Sequence, residues 1–114
     1  MTKNYLIRGN IYIVDLPVNT THVQYGVRPC ILLNANSVIC TIIPLTTKIN
    51  KLDKNKSHIA IVTYDKRGNK YNSLALLEQV QTVPISYIKA FYGKIDTKDK
   101  NELNNKIIQS YCIA

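Results

Sequence analysis

The chain has 114 residues and carries 15 Lys and Arg against 7 Asp and Glu, a formal net charge of +8. This length fits one domain that buries its core without disulfide or metal staples, and a hydrophobic content of 46% excludes an intrinsically disordered protein. No apolar run approaches the roughly 20 residues that span a bilayer, and residues 1–8 lack a signal-peptide pattern. We therefore expect one cytoplasmic domain over residues 1–114, with no membrane partner and a polyanionic partner favoured by the charge.

The first half of the chain predicts three strands. Residues 11–16 are rich in β-branched side chains, which favour a strand. Residues 27–33 and 38–45 are nearly continuous apolar runs joined by a short polar turn. Such runs are typical of strands that are buried on both faces.

Two polar segments separate these strands from their neighbours. Residues 17–26 are rich in turn-forming residues, and we interpret them as a loop that covers a substrate. Residues 47–57 carry four lysines and one aspartate. As a cluster they predict a rim that attracts phosphate, although each lysine by itself is more typical of a solvated loop.

The second half predicts further strands and a turn. Residues 58–64 read as a strand, and the polar residues 66–70 read as the turn of a hairpin. Residues 74–83 predict one long strand, residues 86–89 a single helical turn, and residues 90–95 a last short strand.

A helix is predicted at the C-terminal end. Thr97 can cap it, and Asp99 lies in its first turn, where negative charge suits the helix dipole. Leu103, Ile107 and Tyr111 recur at helical spacing and form an apolar stripe. Six or seven short strands, one terminal helix and no alternation of strands with helices predict a mainly β fold, a small antiparallel barrel with a C-terminal helix.

The strongest candidate site lies at the ends of the two buried strands. Arg28 opens the first strand, and Thr46, Thr47 and Lys48 close the second. In a hairpin the start of one strand lies beside the end of the other, so Arg28 and Thr46 should meet at one edge of the sheet. A guanidinium beside a hydroxyl and an ammonium is a good receptor for phosphate. Arg28 could instead pair with Glu78 or with a loop carbonyl in a structural role.

Other residue types narrow the chemistry. The acidic residues do not form an obvious carboxylate cage for magnesium, and the three cysteines have no metal-ligand spacing. Cys30 and Cys40 lie in apolar runs and are predicted to be reduced core residues. We therefore predict no cofactor and no metal. Metal-free cleavage of a phosphodiester is easiest on RNA, whose 2′-hydroxyl is an internal nucleophile.

The two histidines have different contexts. His22 lies in the loop before Arg28 and is a candidate acid or base, because the ordinary pKa of histidine suits neutral pH. It could also be a plain loop residue. His58 opens a strand, and a structural role is favoured.

Four segments in this order resemble the MazF/PemK (Kid) toxins of bacterial type II toxin–antitoxin systems. They are residues 8–16 (RGNIYIVDL), 24–29 (QYGVRP), 44–48 (PLTTK) and 76–83 (LLEQVQTV). The resemblance covers nearly the whole chain, including the terminal helix.

The resemblance implies an SH3-like barrel of the CcdB/MazF type, usually a homodimer. It implies a metal-independent endoribonuclease that cuts single-stranded RNA, such as mRNA, at short sequences and so inhibits translation and growth. The products would be a 2′,3′-cyclic phosphate and a 5′-hydroxyl, and an acidic antitoxin would cover the same groove. The catalytic arginine and threonine of the family map onto Arg28 and Thr46, with Thr47 as the adjacent alternative. Six further side chains are predicted to bind the substrate: His22, Gln24, Tyr25, Thr47, Lys48 and Gln79.

The chain departs from the family pattern at Asn10, Val23, Tyr25 and Gln81, which leaves the cleavage sequence open. Tyr25 either stacks on a base or covers the rim of the barrel. Two alternative functions follow. One is a catalytically weakened module that binds RNA or antitoxin. The other is a CcdB-like poison that binds gyrase, which the absence of tryptophan disfavours.

Overall fold

The computed structural model describes residues 6–17, 26–47 and 58–111, the last range without the side chains of residue 106 and residues 108–111. These residues form seven strands and one helix: β1 (Asn10–Leu16), β2 (Gly26–Ala35), β3 (Ile39–Thr46), β4 (His58–Asp65), β5 (Lys70–Leu76), β6 (Gln81–Pro84), β7 (Ile88–Ile95) and α1 (Thr97–Tyr111). Short 3-10 turns lie at Leu77–Gln79 and Ile85–Tyr87. Within these ranges no helix combines the length and the apolar character needed to cross a membrane.

The sheet closes on itself. Its strand order is β2-β1-β7-β4-β5-β3-β6, and β2 also pairs with β3. Every pairing is antiparallel. The predicted mainly β fold, a small antiparallel barrel followed by a terminal helix, is therefore confirmed. The predicted hairpin around residues 66–70 is also present, with Thr63 opposite Tyr71.

The first three strands are buried on both faces, which the apolar runs of β2 and β3 predict. In β1, Ile11 belongs to one apolar cluster and its neighbour Tyr12 to another. Residues of β2 and β3 divide in the same way. Leu103 of α1 packs into the first cluster, while the turn at Ile85–Tyr87 packs against the second. Two layers of apolar contacts therefore hold these strands in place.

The predicted single strand over residues 74–83 is wrong. The 3-10 turn at Leu77–Gln79 divides it into β5 and β6, which both pair with β3. Leu45 of β3 pairs with Ala75 and Ile42 with Gln81, so three steps along β3 match six steps along the opposite segment. The turn accommodates the extra residues of the opposite segment, because an uninterrupted strand could not satisfy both registers.

The start of the helix also differs from the prediction. Asp96, not Thr97, is the capping residue, because its Oδ1 accepts a hydrogen bond of 2.9 Å from the Lys98 backbone N–H. Asp99 binds the sheet, since its carboxylate accepts a 2.6 Å hydrogen bond from the Val62 N–H. The Val62 carbonyl in turn accepts from the Asp96 N–H at 3.0 Å. One residue of β4 therefore anchors the helix through both of its backbone polar groups.

A glycine is required at position 93, where β7 pairs with β4. A Cβ at this position would lie 1.9 Å from the Tyr64 carbonyl oxygen and 2.8 Å from the Asp65 Cα. We predict that Gly93→Ala lowers the free energy of unfolding in urea by about 3 kcal/mol, because backbone atoms would have to move. Gly68→Ala is the control. The φ of Gly68 is +86° and its surroundings are open, so this variant should lose only about 1 kcal/mol of stability, from backbone strain. Equal losses in the two variants would contradict the close approach at Gly93.

Candidate active site

The register of the β2–β3 pair brings Arg28 to Thr46. Cys30 pairs with Pro44, and two residues further along each strand the antiparallel register reaches Arg28 and Thr46. Both residues line one cavity of about 210 Å³, here called the Arg28 cavity. Its lining consists of Arg28, Pro29, Leu45, Thr46, Thr47, Thr63, Tyr71, Ser73 and Tyr92. The structure therefore places the two predicted catalytic residues together.

The backbone on both sides of the site is held by the sheet. Thr46 is 9% exposed and pairs with Leu74 of β5. Arg28 is half-buried and pairs with Val14 of β1, so its strand is bound on that side too. A guanidinium and a hydroxyl on fixed strands can present donors to the oxygens of one phosphate with little loss of conformational freedom.

Two hydroxyl side chains that the sequence did not single out form the buried wall of this cavity. Thr63 and Ser73 are 2% and 5% exposed, and their oxygens lie 3.2 Å apart in a hydrogen bond. Thr63 Oγ1 also donates to the Tyr71 carbonyl at 3.4 Å. The wall is therefore polar but internally satisfied, which a buried polar pair needs. The hairpin of β4 and β5 places Thr63 opposite Tyr71, and their position beside Arg28 depends on closure of the barrel.

Four of the predicted substrate-binding residues lie outside the described residues: His22, Gln24, Tyr25 and Lys48. The same holds for residues 18–25 of the predicted covering loop and for residues 48–57 of the basic rim. Thr47 is described, is exposed and lines the Arg28 cavity. The binding roles of these residues stay predictions.

Gln79 lies in a different part of the structure. It belongs to the 3-10 turn at Leu77–Gln79 and does not line the Arg28 cavity. Its Nε2 donates to Glu78 Oε2 at 3.4 Å. The same carboxylate oxygen lies 2.7 Å from His58 Nε2, and the His58 side chain is only 7% exposed. This contact agrees with the structural role predicted for His58, while a substrate role for Gln79 stays a prediction.

Metal-ligating residues are dispersed in the described part of the chain. Among residues 6–17, 26–47 and 58–111, no group of three or more His, Cys, Asp or Glu side chains could hold a metal ion. The donors that the Arg28 cavity does offer are hydroxyls and a guanidinium.

Comparison with known proteins identifies the family. Residues 7–111 match the family of PemK-like, MazF-like toxins of type II toxin–antitoxin systems. The chain belongs to this family. It is also 30% identical over 105 residues to a protein named endoribonuclease MazF from Staphylococcus saprophyticus subsp. saprophyticus, a match that covers 88% of this chain and 86% of that protein. The resemblance predicted from four sequence segments is confirmed.

Cysteine chemistry does not fit the site of this MazF/PemK-family chain. Cys30 and Cys40 are both buried free thiols. Burial, with a smaller contribution from the neighbouring Cys40, raises the pKa of Cys30 to about 12 against the opposing effect of Arg28. At neutral pH the thiolate, which is the nucleophilic form, is therefore almost absent.

We predict that iodoacetamide leaves Cys30 unmodified in the folded protein. Between pH 7 and pH 9 its labelling should stay negligible, because the thiolate forms only as the pH approaches 12. In the unfolded chain in urea the Cys30 thiol has its ordinary pKa of 9.0 and should react. Peptide mass mapping separates Cys30 from the other two cysteines. Rapid labelling of folded Cys30 at pH 8 would contradict its buried, protonated state.

Proposed function

We propose that this chain is the toxin of a type II toxin–antitoxin pair and cleaves single-stranded RNA in the Arg28 cavity without a metal ion. The observation that carries the proposal is the meeting of Arg28 and Thr46 in one cavity. The family match and the relative named endoribonuclease MazF support it. Arg28 and Thr46 are proposed as the catalytic residues.

The proposed reaction uses a nucleophile that the substrate itself brings. The 2′-oxygen of the ribose forms a bond to phosphorus while the bond from phosphorus to the 5′-oxygen breaks. One proton passes from the 2′-hydroxyl to a base, and the departing 5′-oxygen takes a proton from a water molecule. The products are a 2′,3′-cyclic phosphate and a 5′-hydroxyl. Because nucleophile and phosphate belong to one molecule, the protein needs to orient the chain and stabilise charge.

Arg28 supplies most of that stabilisation. The phosphorane that forms during attack carries more negative charge on its non-bridging oxygens than the starting phosphodiester does. A guanidinium that donates to these oxygens therefore binds the transition state more tightly than the ground state. A guanidinium is not deprotonated in proteins, so arginine is unsuited to the role of base.

Thr46 complements the charge with a neutral donor. Its hydroxyl is held on β3 at the end of the strand and lines the same cavity, where it can donate to a non-bridging oxygen. The candidates for the base are His22 and a water molecule. The imidazole of a histidine can accept the 2′-hydroxyl proton at neutral pH.

The charge of the chain supports two successive polyanionic partners. A net charge of +8 attracts the RNA backbone and also an acidic antitoxin segment that would cover the same cavity. A second copy of the chain is the expected third partner, because the family resemblance implies a homodimer. Analytical ultracentrifugation of the purified chain would measure that assembly.

We predict that the purified protein cuts a long single-stranded RNA in EDTA and that sequencing of the new ends gives 5′-hydroxyl termini at a short recurring sequence. Arg28→Ala should lower the cleavage rate by about a hundredfold or more, because the main source of transition-state charge stabilisation is lost. Thr46→Val should lower it by a smaller factor.

Matched controls separate the site from general charge loss. Arg8→Ala removes an arginine whose Nη2 donates to Oδ1 of Asn104 in α1. Thr41→Val removes a hydroxyl that forms a 3.2 Å hydrogen bond with the Thr82 hydroxyl. Both should cut at nearly the wild-type rate. Wild-type cleavage by Arg28→Ala would overturn the assignment of Arg28. RNA binding without any cuts by the folded wild type would favour the weakened binding module instead.

A further inference from the structure

A second cavity of about 410 Å³ adjoins the Arg28 cavity. Tyr71 of β5 and Tyr92 of β7 line both cavities. Phe91 lines the second cavity beside Tyr92. The three rings, here called the aromatic shelf, therefore extend the surface that begins at Arg28.

Two rings of the aromatic shelf are exposed to an unusual degree for aromatic side chains in a sheet. Tyr71 is 40% and Phe91 is 37% exposed. Phe91 is supported from within the protein by Tyr12, whose ring meets it edge-on at a centroid distance of 5.9 Å and an angle of 71°. Tyr92 is half-buried and packs against the apolar cluster beneath α1. The inner parts of the shelf are packed, and its outer surface offers ring area to a ligand.

The turn next to the aromatic shelf is fixed by one carboxylate. Asp65 accepts hydrogen bonds from the backbone N–H groups of Arg67 and Asn69, both at 2.9 Å, and from Asn69 Nδ2 at 3.1 Å. The Tyr71 hydroxyl also approaches Asp65 Oδ2 at 3.5 Å. Desolvation opposes the charged form, but these hydrogen bonds outweigh it and lower the pKa of Asp65. These hydrogen bonds therefore fix the turn that leads into Tyr71.

Positive charge borders the same surface. Lys66 and Arg67 line the second cavity together with the tyrosines. Asp65, the acidic residue there, is already engaged by the turn. A surface that combines exposed rings with cations matches unpaired nucleotides, which offer a base to the rings and a phosphate to the cations.

We propose that the aromatic shelf is a base-stacking subsite for a nucleotide that flanks the scissile phosphate, with Tyr71 as the main stacking ring. This proposal rests on the proposed function, because it takes the Arg28 cavity as the site of cleavage. The continuity of the two cavities through Tyr71 and Tyr92 places the shelf directly beside that phosphate. Stacking tolerates any base, so the shelf contributes to affinity and position more than to sequence choice.

The test uses RNA oligonucleotides that span a mapped cleavage site and carry one abasic nucleotide at successive positions. For the wild type, we predict that kcat/KM falls about tenfold at one flanking position, where the stacked base is missing. With intact RNA, the kcat/KM of Tyr71→Ala should fall by about the same factor. The abasic nucleotide at that position should then cause no further loss in this variant, because both changes remove the same stacking interaction. Tyr71→Phe keeps the ring and should retain nearly the wild-type value.

The matched control is Asn72→Ala. Asn72 is exposed and adjacent in sequence, but it lines neither the Arg28 cavity nor the second cavity, so its abasic profile should equal that of the wild type. An equal abasic penalty in the wild type and Tyr71→Ala would overturn the proposal. A changed sedimentation coefficient of Tyr71→Ala with unchanged RNA kinetics would also overturn it, since the shelf would then be an interface between copies.

Failure of the proposed function can be told apart from failure of the subsite. If the wild type cuts no RNA, the binding of fluorescein-labelled oligoadenosine and of its abasic form is measured by anisotropy. A Tyr71→Ala variant that binds the intact strand about tenfold more weakly, but binds the abasic strand like the wild type, supports the shelf without the reaction. Equal binding of the intact strand by both proteins overturns it.

Discussion

Antiparallel pairing between β2 and β3 closes the sheet and, in the same register, carries Arg28 to Thr46. The pairing is stable because alternate residues of both strands enter two different apolar clusters. A slip by one residue would exchange the two sets of side chains and would also separate the guanidinium from the hydroxyl. The packing of the core and the geometry of the candidate site are therefore fixed by one contact between neighbouring strands.

The candidate site shows how a small barrel can present polar groups without weakening its core. Thr63 and Ser73 satisfy each other in the buried wall, and Thr46 stands at the end of its strand, where the sheet meets the cavity. Leu45, Ile61 and Ala75 of the same strands belong to the first apolar cluster. Since none of the buried side-chain polar atoms in the described ranges lacks a hydrogen-bond partner, the cavity can hold oriented donors at little cost in stability.

Local signals in the sequence predicted much of this arrangement. The apolar runs of β2 and β3 and the arginine and threonine at their ends were sufficient to predict the meeting of Arg28 and Thr46. Local signals failed where longer-range geometry decides. Residues 74–83 look like one strand, and only the pairing of both halves with β3 requires the 3-10 turn.

Similar limits explain the other differences. Asp96 and Thr97 are both good capping residues, and the docking of the helix on Val62 selects Asp96. Tyr71 and Tyr92 come from β5 and β7, which are not neighbours in the strand order. Their place beside Arg28 follows from the curvature of the closed barrel, which hydrophobic periodicity does not encode.

The pairing of β1 with β7 has a consequence for synthesis of the chain. Strands from the beginning and the end of the barrel pair with each other, with Ile11 opposite Gly93. On that side β1 therefore has no partner until β7 has left the ribosome. Domains of this kind acquire their long-range contacts late. A nascent chain that ends before β7 lacks Tyr92 and an intact barrel. The Arg28 cavity is therefore incomplete until β7 has paired with β1.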